Sequence, residues 1–247
     1  MNLQTLILTE NNCYRANKKI DPAGIMIHTT GANNPNLRRY VAPDDGRLGY
    51  NPNGNHWNQP APDGRQVCVH AFVGKLQNGD VASYKTLPWN HRGWHAGNGT
   101  FGSANDTHIG IEICEDTLRD GGYFAAVYNE AAELCAYLCE LFGLDPLGDG
   151  VIIGHCEGFR RGIASNSADP EHWFPMHNRD MDMFRMEVEK IMIEKNQDLS
   201  GVSEWARDAA RWVMDTGISD GKRPADAVTR EEAWTMMHRM WGLIVDS

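Results

Sequence analysis

Short apolar runs that end in polar residues constrain the fold of this chain more than any other feature. "GIMIHTT" (24–30), "THIGIEICE" (107–115) and "GVIIGH" (150–155) each have the length and apolar content of a buried strand. In "AAVYNEAAELCAYLCELFG" (125–143), apolar residues recur at helical spacing, and Gly143 is suited to end the helix. This part of the chain is therefore expected to alternate strands and helices, which is an α/β arrangement.

A hairpin and a last helix complete a first domain, which we place at residues 1–196. "VCVHAFVGKL" (67–76) and "VASYKTL" (81–87) are joined by "QNGD", whose Asn-Gly pair suits a tight turn with positive φ. "RDMDMFRMEVEKIMIEKN" (179–196) is amphipathic and predicts the final helix of this domain.

Two long segments, residues 31–66 and 88–106, show little periodicity. The first is rich in Asn, Gly, Pro and Asp, and the second mixes Trp, His, Gly and Asn. Loops of this length in a compact domain usually carry function. We predict that they form the walls of a substrate groove.

A polar segment, "NQDLSG" (196–201), separates this domain from a C-terminal module at residues 202–247. The module is predicted to be a hairpin of two helices, since Gly217 can end the first and Thr229 with Glu232 forms a capping box for the second. About fifty residues bury little apolar surface alone, so we expect the module to dock or to pair with another copy. Its apolar faces comprise Trp205, Ala209, Trp212 and Val213 on the first helix and Ala233, Met236, Met237, Met240 and Trp241 on the second.

Composition argues against several classes of function. The formal net charge is −10 and no basic cluster occurs, so nucleic acid is not an expected partner. No apolar run reaches the ~18 residues that a membrane-spanning helix needs, so no membrane insertion is expected. The N-terminus, "MNLQTLILTENNCYRANKKI", lacks the basic start and apolar stretch of a secretory signal. This predicts a protein that stays in the cytoplasm until another factor releases it.

Two of the ten histidines stand out because each closes a short apolar strand. His28 and His155 are therefore placed to point into a cleft at the edge of a sheet. With Asp169 they would supply two imidazoles and a carboxylate, which suits a catalytic zinc site that leaves its fourth position to water. Asp169 is also consistent with a helix N-cap, because Pro170 suits a first helical turn. Cys156 should face away from His155, since successive side chains of a strand point to opposite faces.

Glu112 is a carboxylate in an otherwise apolar strand, between Ile111 and Ile113. An isolated buried carboxylate is costly unless it is paired, hydrogen-bonded or protonated. Burial raises the pKa of such a group, which suits a general base or acid that works near neutral pH. A structural ion pair with Arg92 or Arg119 is the alternative interpretation.

At this point the motifs match a known family. "GIMIHTTG", "RGWHAG", "THIGIEICE", "GHCEG" and "SADP" occur in the order and spacing of the type-2 N-acetylmuramoyl-L-alanine amidases, which include phage endolysins and the peptidoglycan-recognition proteins. The resemblance covers residues 20–190. It implies a mixed central β-sheet flanked by helices, with a zinc ion in a groove on the face of the sheet. It also implies cleavage of the amide that joins N-acetylmuramic acid to the L-alanine of peptidoglycan.

The resemblance assigns roles to individual positions. His28, His155 and Asp169 match the three zinc ligands, in "HTT", "GHCE" and "DP". Glu112 matches the acidic residue that holds or deprotonates the attacking water. The substrate contacts that the resemblance implies are Trp94, His95 and His70. The loop between His155 and Asp169 is expected to form one wall of the groove, where Arg160 and Arg161 are candidate contacts for acidic groups of the stem peptide.

Two positions depart from the family pattern. Many relatives have Lys two residues before the third ligand, where it can stabilise the oxyanion, and this chain has Ser167 there. A hydroxyl can donate a hydrogen bond without a charge, and charge-assisted hydrogen bonds are the stronger kind. Some relatives also have Tyr before the hairpin histidine, where this chain has Val69. Zinc, Ser167 and a backbone N–H therefore all remain candidates for stabilising the oxyanion.

The C-terminal module resembles one S-layer homology repeat, since it carries the W-A-x-x-A, GI-x-x-G and TR-x-E patterns in that order. Such repeats commonly occur in threes and hold secondary wall polymers. The resemblance implies weak wall binding by the single copy, or assembly through self-association. A hairpin that forms homo-oligomers without wall contact is the alternative.

The leading functional hypothesis is zinc-dependent hydrolysis of peptidoglycan by a phage or prophage endolysin. One alternative is a non-catalytic peptidoglycan-binding module, although such binders typically lose a zinc ligand and all three positions are filled here. Another is a cytoplasmic amidase that recycles soluble muropeptides, although a soluble substrate needs no wall-binding module.

Overall fold

A six-stranded mixed sheet is the centre of the N-terminal part of the chain in the computed structural model, which describes residues 1–197, 199, 201–221 and 223–245. The strands lie in the spatial order β1-β4-β3-β5-β2-β6, with β3 and β4 antiparallel and the other neighbouring pairs parallel. Helices flank the sheet, which confirms the predicted α/β class with a mixed central sheet. In chain order the strands are β1 (Leu3–Thr5), β2 (Gly24–Thr29), β3 (Ala71–Lys75), β4 (Val81–Lys85), β5 (His108–Ile113) and β6 (Ile152–Gly154).

The longest helix, α2, shows how the sequence sets the ends of an element. Asp120 Oδ1 accepts hydrogen bonds from the N–H groups of Gly122 and Tyr123 at the start of α2. Gly143 adopts a φ of +64° after its last residue, as expected of a C-terminal glycine. One face of α2 packs on β3, β4 and β5. The helices are α1 (Asn12–Ala16), α2 (Gly121–Phe142), α3 (His155–Arg160), α4 (Met181–Gln197), α5 (Arg207–Asp215) and α6 (Arg230–Val245).

The predicted hairpin is confirmed in β3 and β4, which pair from Ala71 with Lys85 to Lys75 with Val81. Gly79 in the turn has a φ of +93°, a conformation that favours glycine. Strand β1, which pairs in parallel with β4 at the edge of the sheet, is not predicted by the sequence pattern. Its three residues are too few to show a periodicity.

The parallel strands β5, β2 and β6 lie side by side, and this arrangement creates an edge where their carboxyl ends meet. The register places His28 on β2 opposite Glu112 on β5. On the other side of β2, Ile27 lies opposite Gly154, the last residue of β6. The next residue in the chain, His155, therefore emerges beside His28.

His155 is the first residue of α3 and not the last residue of a strand, which corrects the predicted strand at 150–155. The strand ends at Gly154 because the side chain of Glu157 accepts the Gly154 N–H at 2.9 Å and starts the helix. His155 and Cys156 therefore both lie in a helix, so the alternation of side chains along a strand does not apply to the direction of Cys156. Its Sγ lies one helical turn from Arg160, at 2.9 Å from Nη1.

Helices α5 and α6 confirm the predicted pair of C-terminal helices. Gly217 follows α5 with a φ of +72°. The predicted capping box is present, because the Thr229 N–H donates to Glu232 Oε2 at 2.8 Å and the Glu232 N–H donates to Thr229 Oγ1 at 3.2 Å. Trp205 lies in a short 3₁₀ turn before α5 and is 88% exposed.

The chain divides into two compact units, one from Met1 to Ile191 and the other from Met192 onward. The division falls within α4, slightly before the boundary predicted at residue 196. Positions 198 and 200 of the predicted hinge lie outside the described residues, as do 222, 246 and 247 of the predicted C-terminal module. Within the described ranges, no helix has the length and apolar character needed to cross a membrane.

Candidate metal centre

His28, His155 and Asp169 meet at the carboxyl edge of the parallel strands. His28 Nδ1 lies 3.0 Å from His155 Nδ1 and 3.2 Å from Asp169 Oδ2, and His155 Nδ1 lies 3.5 Å from Asp169 Oδ1. All three side chains are buried. Across the part of the chain that the structure describes, they form the one cluster of three side chains whose donor atoms could hold a metal ion.

The hydrogen bonds around His28 assign its protonation. His95 Nε2 lies 3.2 Å from the carbonyl oxygen of His108, which can only accept, so this nitrogen carries the hydrogen. His95 Nδ1 is then an acceptor, and His28 Nε2, 2.9 Å away, donates to it. A neutral imidazole carries one hydrogen, so His28 Nδ1 has a free lone pair directed at Asp169 and His155. Burial lowers the pKa of His28, which favours this neutral form.

His155 is held in the same way. Ser165 Oγ donates to the carbonyl oxygen of Ala96 at 3.2 Å and can accept from His155 Nε2 at 3.4 Å. With its hydrogen on Nε2, His155 also turns a lone pair on Nδ1 towards His28 and Asp169. The donor atoms of three side chains therefore converge, and this assignment leaves the two Nδ1 atoms without a hydrogen.

This donor set fits a metal ion. Electron-rich atoms so close together repel one another unless a cation lies between them. A tetrahedral ion with bonds of about 2.0–2.1 Å separates its donors by roughly 3.3 Å. His28 Nδ1 lies 3.0 Å from His155 Nδ1 and 3.2 Å from Asp169 Oδ2, and the 3.5 Å distance from His155 Nδ1 is to the other carboxylate oxygen, Oδ1. Two imidazole nitrogens and a carboxylate oxygen are a combination that suits zinc and related transition metals.

Glu112 lies beside this cluster, in the lining of the same cavity of about 280 Å³. Its Oε2 is buried without a hydrogen-bond partner. Burial, and then the negative charges of Asp169 and Glu115, raise the pKa of Glu112 well above the usual value for a carboxyl group. An ion pair with Arg92 does not occur, because Arg92 Nε donates to Asp106 Oδ1 at 2.6 Å instead.

Comparison with known proteins identifies the family. Residues 18–172, more than half of the chain, match the family described as N-acetylmuramoyl-L-alanine amidase. The chain belongs to this family. Its candidate metal cluster and Glu112 all lie within the matched residues.

Individual relatives agree with this result. The amidase CwlH of Bacillus subtilis (strain 168) is 33% identical over 111 residues, which cover 40% of this chain and 43% of CwlH. The chain matches less than half the length of the curated relatives. The catalytic domain of XlyA has a TM-score of 0.52 at 22% identity, covering 76% of this chain and 99% of that domain. Staphylococcus aureus hydrolase AmiA, in complex with its ligand, has a TM-score of 0.51 at 21% identity, covering 79% of this chain and 84% of AmiA. These two likenesses show a shared fold.

Both long loops of this amidase-family chain line the cavity, in agreement with the predicted groove. Trp94 and His95 come from the second loop. Trp94 lies under the guanidinium of Arg92, whose Cζ is 5.1 Å from the ring centroid. The first loop contributes Ala32, Arg39, Tyr40, Trp57 and Arg65.

Ser167 also lines the cavity, but its hydroxyl hydrogen already forms a hydrogen bond within the protein. Its Oγ donates to Asp169 Oδ1, so the same hydrogen is not free to stabilise an oxyanion. The backbone N–H of Thr29 donates to the other oxygen, Oδ2, at 3.3 Å. These two hydrogen bonds orient the Asp169 carboxylate towards the histidines. Asp169 therefore does not have the side-chain role of a helix N-cap, which was the alternative interpretation.

His70 and Arg160 do not line this cavity, and the predicted substrate contact of Arg160 stays a prediction. His70 is buried beside the hairpin, where Nδ1 accepts the Gly110 N–H at 2.9 Å and Nε2 donates to the His91 carbonyl at 2.7 Å. Burial lowers the pKa of His70 to about 4, and neither nitrogen is free for substrate. Arg160 Nη2 instead lies 3.2 Å from Glu171 Oε1.

Two residues that support the site, Asn105 and Ser165, are not indicated by the sequence pattern. Asn105 is buried, and its Oδ1 accepts the N–H groups of His95 and Ala96 at 2.7 and 3.0 Å. Its Nδ2 donates to the Gly97 carbonyl at 3.0 Å, which fixes the shape of this loop. An asparagine or serine in a polar loop gives no periodic signal, so only the folded contacts identify such residues.

Replacing Glu112 by Gln should stabilise the metal-free protein at neutral pH. Because the pKa of Glu112 is raised in the folded state, its carboxyl contributes stability below the usual carboxyl pKa and loses it as pH rises through the folded value. Replacing the carboxyl group of Glu112, which is partly buried and whose Oε2 has no hydrogen-bond partner, should recover about 1–3 kcal/mol at neutral pH and little near pH 4. Thermal unfolding in the presence of a chelator measures this difference, and equal melting temperatures of the two proteins at neutral pH would contradict it.

Proposed function

We propose that this chain is a zinc-dependent N-acetylmuramoyl-L-alanine amidase that cleaves the amide between N-acetylmuramic acid and L-alanine of peptidoglycan, in the role of a phage endolysin. The observation that carries the proposal is the convergence of the donor atoms of His28, His155 and Asp169 in the same cavity as Glu112, whose buried Oε2 has no hydrogen-bond partner. Membership of the amidase family supports the assignment of substrate and bond.

In the proposed mechanism, His28 Nδ1, His155 Nδ1 and one oxygen of Asp169 would hold a zinc ion. Zinc bound there would supply Lewis-acid chemistry, which would polarise an amide carbonyl and make water nucleophilic near neutral pH. Glu112 Oε2 accepts the proton of the attacking water, because it is buried in the same cavity and has no other partner. The protonated carboxyl then gives this proton to the leaving amine of L-alanine. Ser167 orients Asp169 and does not act on the substrate.

A non-catalytic peptidoglycan-binding module is the second candidate. Binding alone requires the groove, but it does not require three converging donors or an unpaired buried carboxylate that costs stability. The presence of both features together favours the enzyme. A recycling amidase would use the same chemistry on soluble muropeptides and differs only in its substrate.

His155→Ala should remove most of the zinc. Wild-type protein is expected to hold one zinc per chain, since one cluster of three donors is present among the described residues. Elemental analysis after dialysis measures the content, and release of new L-alanine amine termini from purified walls measures the reaction. Full hydrolysis by a chelated, metal-free sample would rule out the zinc mechanism, and new reducing sugar ends would indicate a glycosidase instead.

Glu112→Ala should keep the zinc and lower the rate of amide hydrolysis by about 10²–10⁴-fold, which is the usual contribution of a general acid or base. Asp149→Asn is a matched control, because Asp149 is an exposed carboxylate that pairs with Arg161. The control should retain wild-type activity. Unchanged turnover by the Glu112→Ala protein, with its zinc content equal to wild type, would exclude Glu112 from the mechanism.

We also propose that the C-terminal helices bind wall polymer. Support comes from the resemblance to an S-layer homology repeat and from a cavity of about 700 Å³ lined by residues of α5, α6 and their connection, including Arg223 and Arg239. Large apolar side chains are also exposed in this unit, namely Trp205, Trp212, Trp234, Met237 and Trp241.

Deleting residues 202–247 should reduce co-sedimentation with whole cell walls while leaving cleavage of a soluble muropeptide intact, because the candidate metal centre lies in the other unit. Light scattering on both proteins measures their oligomeric state. If the deletion changes the oligomeric state but not the sedimentation, self-association is the function of these helices.

A further inference from the structure

His95 contacts His28 edge-on, on the side of the His28 ring that faces away from Asp169 and His155. The ring centroids of the two imidazoles are 5.0 Å apart at an interplanar angle of 77°. His95 Nδ1 lies 2.9 Å from His28 Nε2, and its own Nε2 lies 3.2 Å from the carbonyl oxygen of His108. Both ring nitrogens are therefore occupied by protein partners, so His95 is not free to bind substrate through them.

Two glycines make room for the His95 ring. A Cβ on Gly110 would lie 2.5 Å from His95 Cγ and 2.7 Å from its Nδ1. Both distances are too short for a non-bonded contact, so any larger residue at position 110 would displace the His95 ring. A Cβ on Gly93 would lie 3.0 Å from His95 Cδ2. The backbone N–H of His95 also donates to Asn105 Oδ1 at 2.7 Å. The ring therefore lies between strand β5 and the loop that carries His95. Contacts with Gly110 and Gly93, and the backbone hydrogen bond to Asn105, limit its orientation.

We propose that His95 is a positioning residue that holds His28 in the tautomer required for metal binding. This inference rests on the proposed zinc function. His95 accepts the hydrogen of His28 Nε2, and this leaves the lone pair of His28 Nδ1 directed at the metal centre. The carbonyl of His108 keeps the hydrogen of His95 on Nε2, so that His95 Nδ1 always accepts.

The tautomer matters because His28 has a competing partner. Asp169 Oδ2 lies 3.2 Å from His28 Nδ1 and could accept a hydrogen from that nitrogen. In that tautomer, His28 would have no lone pair on Nδ1 for a metal ion, and a binding ion would first have to displace the hydrogen. A hydrogen-bond acceptor next to Nε2 favours the tautomer of His28 that carries its hydrogen on Nε2. In this tautomer, Nδ1 is already free to bind a metal ion.

Two substitutions of His95 distinguish its role as a hydrogen-bond acceptor for His28 from a role in filling space. His95→Asn keeps an acceptor, because the amide oxygen occupies nearly the position of the ring Nδ1, whereas His95→Leu fills the space without one. His177→Asn is the control for loss of a histidine, because His177 stacks on Phe124 at 4.1 Å and bonds the Leu118 carbonyl. Zinc dissociation constants of the full chain are measured by competition with a chelator of known affinity.

His95→Leu should weaken zinc binding by roughly 10–100-fold, the usual effect of removing a hydrogen-bond partner of a ligating histidine. His95→Asn and His177→Asn should stay close to the wild-type value. Nitrogen-15 spectra of the imidazoles in metal-free protein give a second readout, in which His28 should carry its hydrogen on Nε2 in wild type and move it towards Nδ1 in His95→Leu.

The proposal is overturned if His95→Leu binds zinc as tightly as wild type. It is equally overturned if His28 in the metal-free wild type carries its hydrogen on Nδ1, and this measurement decides the matter even where His95→Leu does not fold. A wild-type protein that binds no zinc would instead refute the proposed zinc function, so the two failures are distinguishable.

Discussion

The parallel pairing of β2 with β5 on one side and β6 on the other is the constraint on which the site depends. Strands that run in the same direction end at the same edge of a sheet, so residues far apart in sequence meet there. The register places His28 level with Glu112 and brings the end of β6 beside Ile27. A shift of one residue in β2 would turn His28 to the opposite face and separate it from His155 and Asp169.

The sequence predicts those parts of the structure that show a local pattern. The buried strands are continuous apolar runs, so their positions follow from hydrophobicity, and His28 and Glu112 are visible as polar exceptions within them. The turn at Gly79 and the end of α2 at Gly143 follow from the backbone freedom of glycine. Strand β1 escapes prediction because its stability comes from pairing with β4, which is distant in sequence.

The side-chain partners within the site could not be predicted in the same way. Family resemblance places Ser167 and His70 at positions near the site, and the loop between His155 and Asp169 makes Arg160 a candidate, but neither says which atoms these side chains reach. In the structure, the hydroxyl of Ser167 donates to Asp169, and both ring nitrogens of His70 form hydrogen bonds with backbone groups. The side chain of Arg160 pairs with Glu171. The contacts of His70 join residues that are 21 and 40 positions apart, where no periodic signal exists. Ser167 and Asp169 are only two positions apart, but no sequence pattern specifies the direction of a hydroxyl group in an irregular loop.

Metal binding at the candidate centre, as proposed, would be linked to the ionisation of Glu112. After burial, the charge of Asp169 is the next cause that raises the pKa of Glu112, because two negative charges in one buried cavity repel each other. A divalent cation on Asp169 would reverse the sign of that local charge and lower the pKa of Glu112. Coupling between two binding equilibria is reciprocal, so deprotonated Glu112 would in turn favour the bound cation. The proposed metal site and the proposed base therefore depend on the same electrostatic interaction, between Asp169 and Glu112.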